Sequence, residues 1–247
     1  MQLNGRTVLV TGGASGIGLA LARRFMAAGS TVVACGRREA TLREAAAAHP
    51  GLHTRVCDVA REAERVALAE WVVREHPALD VLVNNAGVQR RVRLDAPEPW
   101  ADTREEIAIN LDAPVHLSLL LLPHLQARPD AAIVNVTSGL AFVPMPSAPV
   151  YCATKAALHS FTLSLRHQLA GRGPRVVEIV PPAVNTDLGG VGLHDFGAPL
   201  DAFADAVMAR LAAGEPEIGY GTAEDRRLAA NAVLDPIFER MNGRPPR

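Results

Sequence analysis

Short apolar runs alternate with longer amphipathic runs along this 247-residue chain. The first short run, Thr7-Val8-Leu9-Val10, shows no apolar–polar alternation, which indicates a strand buried on both faces. Parallel strands need a crossover of a dozen or more residues, usually a helix, and the amphipathic runs suit that role. The alternation therefore predicts a three-layer α/β domain, in which a doubly wound parallel sheet of about seven strands carries helices on both faces.

Glycine and proline residues mark where these elements end. Gly29 ends the first helix and Pro77 the third, and Pro181-Pro182 breaks the sixth strand. The longest irregular stretch is the loop of residues 182–199, which we expect to cover a substrate site. The predicted strands are 7–10, 31–35, 52–59, 80–83, 132–137, 175–180 and 217–220, and the predicted helices are 17–28, 38–48, 60–75, 100–122 and 150–170, with two more beyond residue 201.

The composition excludes several classes of protein. The length suits one domain over residues 1–247, the formal net charge of −1 offers no basic surface for nucleic acid, and no apolar run approaches the ~18–20 residues of a membrane span. Cys35, Cys57 and Cys152 are scattered, and no two of the eight histidines lie one turn apart on a predicted helix, so no metal site is expected. We therefore expect a cytoplasmic protein with reduced thiols that acts on a small molecule.

A glycine-rich turn lies between the first predicted strand and the first predicted helix. It reads Thr-Gly-Gly-Ala-Ser-Gly-Ile-Gly over residues 11–18. Glycines allow the backbone to turn tightly and approach a pyrophosphate, while the helix start supplies N–H donors and the positive end of its dipole. In this strand–turn–helix context, a Rossmann-like dinucleotide site is favoured over a tight turn without a ligand. Its predicted contacts are Gly12, Ser15, Gly16, Ile17 and Gly18.

The end of the second predicted strand bears on which dinucleotide binds. An acidic residue here would hold the ribose 2′-hydroxyl of NAD, but this chain has Gly36 followed by Arg37 and Arg38. Guanidinium groups pair well with phosphate. The sequence therefore predicts NADP(H) as the preferred cofactor, with Arg37 as the main contact and Arg38 as a second. NAD(H) is the alternative, in which the two arginines merely begin a solvated helix.

Tyr151 and Lys155 are four residues apart on a predicted helix, and side chains at this spacing share one face. A free phenol titrates near pH ~10, which makes it a poor acid–base group at neutral pH. A cation held beside the phenol would lower its pKa. The pair thus indicates a proton donor and acceptor suited to carbonyl and alcohol chemistry, although the spacing alone also occurs on helix surfaces.

Taken in order, these motifs resemble the short-chain dehydrogenase/reductase family in its single-domain branch. The resemblance extends over essentially the whole chain, and residues 84–90, 142–146 and 151–160 are most similar to the DltE-type oxidoreductases within the family. The motifs that carry it are the turn at residues 11–18, Asp58-Val59, Asn84-Asn85-Ala86-Gly87, Asn110, Ser138, and Tyr151 with Lys155.

The resemblance implies a role for each candidate residue. Tyr151 is implied as the general acid that protonates a carbonyl oxygen, and Lys155 as the residue that tunes it and reaches the nicotinamide ribose. Ser138 would hold the substrate oxygen, and Asn110 would hold a proton-relay water. Asn84 would stabilise the sheet through its side-chain amide. The implied cofactor contacts beyond the glycine-rich turn are Asp58 and Val59 at the adenine, Asn85, Ala86 and Gly87 along the cofactor, Tyr151 and Lys155 at the ribose, and Pro181, Val184 and Thr186 near the nicotinamide.

The loop after the sixth strand departs from the family pattern, because Pro182 stands where a glycine is usual. Proline fixes φ and removes an N–H, so we expect the path of the loop to differ there. The implied substrate contacts are mostly apolar and suit a ketone, an aldehyde or the corresponding alcohol. They are Ser138, Leu140, Phe142, Met145, Tyr151, Leu193 and His194.

The sequence thus predicts an NADP(H)-dependent oxidoreductase that transfers a hydride between nicotinamide and a carbonyl or alcohol substrate. The alternative is a catalytically idle NADP(H)-binding sensor or interaction protein. The complete set of Asn110, Ser138, Tyr151 and Lys155 argues against that alternative, since a protein that only binds has no need of an acid–base pair. By resemblance, we expect a homodimer or homotetramer formed through the long helices.

Overall fold

Seven parallel strands form one sheet in the computed structural model, which describes residues 1–95, 99–190, 192 and 195–242. All neighbouring strands pair in parallel. The strands are β1 (Thr7–Thr11), β2 (Thr31–Gly36), β3 (Leu52–Val56), β4 (Val81–Asn84), β5 (Ala132–Val136), β6 (Arg175–Val180) and β7 (Glu217–Gly219).

The order of the strands creates a crevice at one edge of the sheet. The order is β3-β2-β1-β4-β5-β6-β7, so the chain winds outward from β1 to β3 and then returns to the other side of β1 with β4. In such sheets, ligands bind at the carboxyl ends of the strands where the winding reverses. The predicted doubly wound, Rossmann-like sheet is confirmed, and its crevice lies between the ends of β1 and β4.

Helices cover both faces of the sheet. The first face is packed by α1 (Gly16–Ala27), α2 (Glu39–Ala48) and α7 (Leu200–Ala213), which bury Phe25 and Phe203 completely. The second face is packed by α3 (Glu62–Glu75), α5 (Ala113–Gln126) and α6 (Pro149–Leu169). The remaining helices are α4 (Trp100–Ile107) and α8 (Thr222–Asn242).

The helix that the sequence predicts over residues 100–122 is divided in two. α4 and α5 are joined by a π-helical turn, Ala108–Asp112, where the Ala113 N–H donates to the carbonyl of Ala108, five residues earlier. We attribute this turn to Pro114, which has no N–H for the carbonyl of Asn110, four residues before it, and whose ring would clash with that carbonyl in an α-helix. Turns of this kind are frequent at functional sites, and this one contains Asn110.

The sequence also predicts a third strand that reaches residue 59, but β3 ends at Val56. Asp58 turns the chain away from the sheet. Its Oδ1 accepts the Ala60 N–H at 3.1 Å, and its own N–H donates to Glu64 Oε2 at 2.7 Å. The residues predicted to contact adenine therefore lie in a turn beyond the strand rather than within it.

One helical run among the described residues, Trp100–Gln126, is long and apolar enough to cross a membrane. Its Leu117, Leu121 and Leu125 side chains are fully buried in the core against the sheet. We therefore attribute its apolar character to packing within this domain. Across the same described part of the chain, no three His, Cys, Asp or Glu side chains are grouped to hold a metal ion.

Candidate active site

Three of the four predicted catalytic side chains meet where the end of β5 faces the start of α6. The Ser138 hydroxyl follows β5, accepts the Leu140 N–H at 3.1 Å and lies close enough to the Tyr151 phenol to lower its pKa. The Lys155 Nζ lies 5.7 Å from the centroid of the Tyr151 ring. All three side chains are buried. The sheet thus delivers a hydroxyl to a phenol and an ammonium that share one face of α6.

Burial shifts the pKa values of the phenol and the ammonium in opposite directions. It raises the pKa of Tyr151 to about 12, although the Ser138 hydroxyl acts the other way. It lowers the pKa of Lys155 to about 8. The lowered Tyr151 pKa that the sequence suggests is therefore not found, because the loss of hydration outweighs the effect of the Ser138 hydroxyl. At neutral pH the phenol keeps its proton, which is the form that a general acid needs.

Lys155 is held between β5 and the segment after β4. Its Nζ donates to the Val136 carbonyl at 2.8 Å. Gly87 lies on its other side, where a Cβ would be 3.6 Å from Nζ and 3.4 Å from Asn110 Oδ1. The ammonium is therefore fixed beside the crevice, within reach of a ligand that passes over Gly87.

Asn110 has a fully buried side chain whose Oδ1 and Nδ2 atoms are both hydrogen-bonded. Its Oδ1 accepts the Val88 N–H at 2.9 Å, and its Nδ2 donates to the Val88 carbonyl at 2.8 Å and to Thr154 Oγ1 at 3.2 Å. The amide thereby ties the segment after β4 to α6, one residue before Lys155. A water at this residue would consequently be held by the main-chain carbonyl, which Pro114 cannot satisfy.

The glycine-rich turn forms a cradle at the carboxyl end of β1. Gly12 and Gly16 have φ values of 63° and 51°, in the left-handed region that favours glycine. A Cβ at Gly18 would lie 2.3 Å from the Gly12 carbonyl oxygen, so the helix start packs directly against the turn. The N-cap residue Ser15 makes no capping hydrogen bond with its hydroxyl in the described part of the chain. The N–H groups of Gly16, Ile17 and Gly18 are thus available to an anion such as a pyrophosphate.

Thr11 joins this cradle to the segment after β4. Its Oγ1 accepts the N–H groups of Asn85 and Ala86, both at 3.0 Å. Asn84 instead points into the protein, where its Nδ2 donates to Asn135 Oδ1 at 2.9 Å and to Ser118 Oγ at 3.1 Å. These bonds confirm the expected role of Asn84 in the sheet. They leave the following residues to line the crevice.

The predicted contacts for the adenosine half lie at the neighbouring strand ends. Arg37 follows β2, and its exposed Nη1 donates to Glu105 Oε1 at 2.8 Å. Arg38 is also exposed and is the N-cap residue of α2. Asp58 and Val59 follow β3, and Val59 is buried in the core. The main predicted phosphate contact is thus already paired with a carboxylate from α4.

The loop after β6 passes next to the cradle. The Pro181 carbonyl accepts the Gly139 N–H at 2.9 Å. Val184 is buried, and the Thr186 side chain lies 3.5 Å from the position that a Cβ on Gly16 would occupy. The proline that replaces the family's usual glycine therefore does not keep the loop away from the crevice.

Apolar residues line the chain beyond β5. Leu140 and Met145 pack against the buried cluster of Ala148, Tyr151 and Cys152. The Phe142 ring packs against the His159 ring at an interplanar angle of 59°, with ring centroids 4.6 Å apart. The two other predicted substrate contacts, Leu193 and His194, lie outside the described residues.

Two further acidic groups near the site cannot be found from sequence spacing. Glu178 is fully buried, accepts from Thr137 Oγ1 at 2.7 Å and lies 2.9 Å from His159 Nδ1. Burial disfavours the charged form of His159, but the hydrogen bond and charge of Glu178 raise its pKa overall. Glu106 is also fully buried, and its Oε2 has no hydrogen-bond partner among the described residues, while Oε1 accepts the Arg90 N–H at 3.2 Å. These contacts join distant segments, so no local motif marks them.

A Rossmann-like sheet with a glycine-rich cradle at its switch point is the structure of a dinucleotide-binding protein. The chain belongs to the short-chain dehydrogenase family of oxidoreductases, since the family model described as short chain dehydrogenase matches residues 6–192. It is 47% identical to the uncharacterized oxidoreductase DltE of Bacillus subtilis (strain 168), over 98% of this chain and 98% of that protein. The resemblance inferred from the motifs is confirmed.

Two solved structures share the fold over almost the whole chain. A short-chain dehydrogenase from Burkholderia cenocepacia J2315, in complex with NADP, has a TM-score of 0.81 and 25% identity, and covers 99% of this chain and 100% of its own. A short-chain dehydrogenase from Sphingobium yanoikuyae, in complex with NADPH, has a TM-score of 0.80 and 26% identity, and the match covers 93% of this chain and 95% of that one. Both of those proteins hold the phosphorylated dinucleotide.

Proposed function

We propose that this protein is an NADP(H)-dependent oxidoreductase that transfers a hydride between nicotinamide and a carbonyl or alcohol carbon of a small substrate. The observation that carries the proposal is the buried group of Ser138, Tyr151 and Lys155 at the carboxyl edge of the sheet. Carbonyl reduction requires three groups from the protein. The phenol is a proton donor, the hydroxyl donates a hydrogen bond to the developing oxyanion, and the ammonium provides a positive charge.

NADPH, when bound, supplies the hydride to the carbonyl carbon. Tyr151 donates its proton to the carbonyl oxygen, so that the C=O double bond becomes a C–O single bond with new C–H and O–H bonds. Ser138 Oγ already accepts the Leu140 N–H, which leaves its own proton to stabilise the negative charge on that oxygen. Oxidation of the alcohol is the reverse of these steps, and Tyr151 then receives the proton.

The phenolate left by proton donation is stabilised by Lys155. With a pKa of about 8, this ammonium is mostly protonated at neutral pH. A water on the Asn110 carbonyl would connect Lys155 with solvent and return the proton to Tyr151. The amide of Asn110 holds the two walls of this path together through Val88 and Thr154.

The choice of NADP(H) rests on Arg37 and Arg38 at the end of β2, where no carboxylate follows the strand. The NADP and NADPH complexes of the two structural neighbours support it. NAD(H) is the alternative cofactor. A kcat/KM for NADH about tenfold or more above that for NADPH would overturn the assignment, since tenfold corresponds to ~1.4 kcal/mol of transition-state stabilisation.

NADPH oxidation should be measured against a panel of ketones, aldehydes, sugars, steroids and acyl thioesters. We expect turnover with at least one class of carbonyl, and a fall in kcat of about 10²-fold or more for Tyr151→Phe, because the phenol's proton is lost while the ring stays. Binding of NADPH should survive in the variant. If wild type and Tyr151→Phe are equally inert while both bind NADPH, the protein is a binder rather than an enzyme.

We also propose that the chain acts in the cytoplasm as a homodimer or homotetramer formed through α5 and α6. The outward-facing Leu119 of α5 is exposed in the single chain and supports such pairing. Light scattering of the purified protein tests the assembly, and a monomer at micromolar concentration would rule it out.

A further inference from the structure

A three-residue charge bridge spans the cofactor edge of the molecule. Glu105 on α4 uses its two carboxylate oxygens for two different arginines. Oε1 accepts from Arg37 Nη1 at 2.8 Å, and Oε2 accepts from Arg90 Nη2. We refer to this group as the Arg37–Glu105–Arg90 bridge.

Arg90 anchors the carboxylate within this bridge. Its Nη1 donates to the Asp102 carbonyl of α4 at 2.8 Å, and its backbone N–H donates to Glu106 Oε1 at 3.2 Å. Arg90 and Arg37 hold the pKa of Glu105 below its ordinary value, so the carboxylate is charged at neutral pH. Glu105 is therefore a fixed negative charge beside Arg37, rather than a mobile surface group.

Arg37 is also the residue that NADP(H) requires under the proposed function. A phosphate monoester brings roughly −1.5 to −2 charges at pH 7, whereas the 2′-hydroxyl of NAD(H) is neutral. Glu105 would compete with the phosphate for the Arg37 guanidinium and would repel it. The neutral hydroxyl meets neither penalty, so the carboxylate acts against NADP(H) alone.

We infer that Glu105 is a specificity-determining residue, which weakens the binding of NADP(H) relative to NAD(H) by occupying Arg37. The inference rests on the proposed function, because it requires Arg37 to face the 2′-phosphate. It predicts that the preference for the phosphorylated cofactor is smaller than two arginines at this position would give without Glu105.

The test is to titrate NADPH and NADH separately against wild type, Glu105→Gln, Arg37→Ala and the double variant. Glutamine keeps the size of the side chain and removes its charge. We expect Glu105→Gln to bind NADPH about threefold to tenfold more tightly, because the variant loses both the competition for Arg37 and the repulsion of the phosphate. The affinity for NADH should change less than about twofold, because the neutral 2′-hydroxyl neither competes strongly for Arg37 nor is repelled by Glu105.

A matched control is Glu39→Gln, which removes an exposed carboxylate on neighbouring α2 that lies 3.9 Å from Arg43. It changes the net charge equally and should leave both affinities unchanged. In the Arg37→Ala background, most of the gain from Glu105→Gln should vanish, because the competition acts through Arg37 and only the direct repulsion of the phosphate remains.

The outcomes separate this inference from the proposed function. If Arg37→Ala fails to weaken NADPH binding, the assignment of Arg37 to the phosphate is wrong. If Arg37→Ala weakens it but Glu105→Gln leaves NADPH affinity unchanged or reduces it, only the role of Glu105 is refuted. A gain that is undiminished without Arg37, or that Glu39→Gln reproduces, would show a general charge effect and also refute the role. Thermal unfolding of each variant checks that the fold is intact, and Glu105→Ala provides a second variant.

Discussion

Burial shifts the pKa values of Tyr151 and Lys155, the two side chains that we propose for proton transfer. Both lose hydration, and for each the neutral form is favoured. The phenol's pKa rises to about 12 and the ammonium's falls to about 8. The shift of each pKa from its ordinary value reflects the burial that the fold imposes on the side chain. For Tyr151, the Ser138 hydroxyl partly offsets the rise in pKa. At neutral pH the phenol is therefore protonated, as the proposed proton donor must be, and the Lys155 ammonium is close to its titration point.

The kcat/KM of NADPH-dependent reduction is expected to fall as the pH rises through about 8. The pKa of Lys155 is lowered, so its charge is present below that value and lost above it, and the phenolate then lacks its cation. This ratio reports ionisations of the free enzyme.

Lys155→Met provides the control for this pH dependence. The variant should be weakly active at every pH and show no break near this value. A wild-type profile that stays flat up to pH about 10, the ordinary range of lysine, would contradict the assigned role.

At the scale of an element, the π-helical turn between α4 and α5 follows from the local sequence and contains the candidate catalytic residue Asn110. Pro114 cannot donate a hydrogen bond to the Asn110 carbonyl. The helix accommodates the proline with a π-helical turn, in which the hydrogen bond spans five residues instead of four. The turn leaves the Asn110 side chain bonded to both Val88 and Thr154. One proline thus sets the position of an amide that holds the segment after β4 against α6.

Pro114→Ala tests this reading. Alanine restores an N–H that can bond the Asn110 carbonyl as in a regular α-helix, so we expect kcat to fall about tenfold or more through loss of the proton path. The melting temperature should be maintained or rise, because alanine favours the helix. Pro123→Ala in the same helix α5 is the control and should leave kcat unchanged. Equal kcat values for Pro114→Ala and Pro123→Ala would show that the π-helical turn has no role in catalysis.

At the scale of the whole molecule, local patterns were sufficient to predict the sheet and its crevice. Apolar strands and the glycine-rich turn act through neighbouring residues, and both lie in the structure close to where the sequence predicts them, except that β3 ends at Val56 rather than at residue 59. The pairing of Arg37 with Glu105 joins residues 68 positions apart, so no spacing reveals it. The direction of the Tyr151 pKa shift depends on burial, which the Tyr–Lys spacing does not contain. The division of the long helix had a visible signal in Pro114, four residues after Asn110, and could have been predicted.

The central claim is that a hydride passes from NADPH to a substrate carbon while Tyr151 supplies the proton. The most direct measurement uses NADPH with deuterium at the transferable position and a carbonyl compound that the panel shows to be reduced. We predict one deuterium on the former carbonyl carbon of the product alcohol, formed about 10²-fold or more slowly by Tyr151→Phe. A product without deuterium at that carbon, or an equal rate for the variant, would contradict the account.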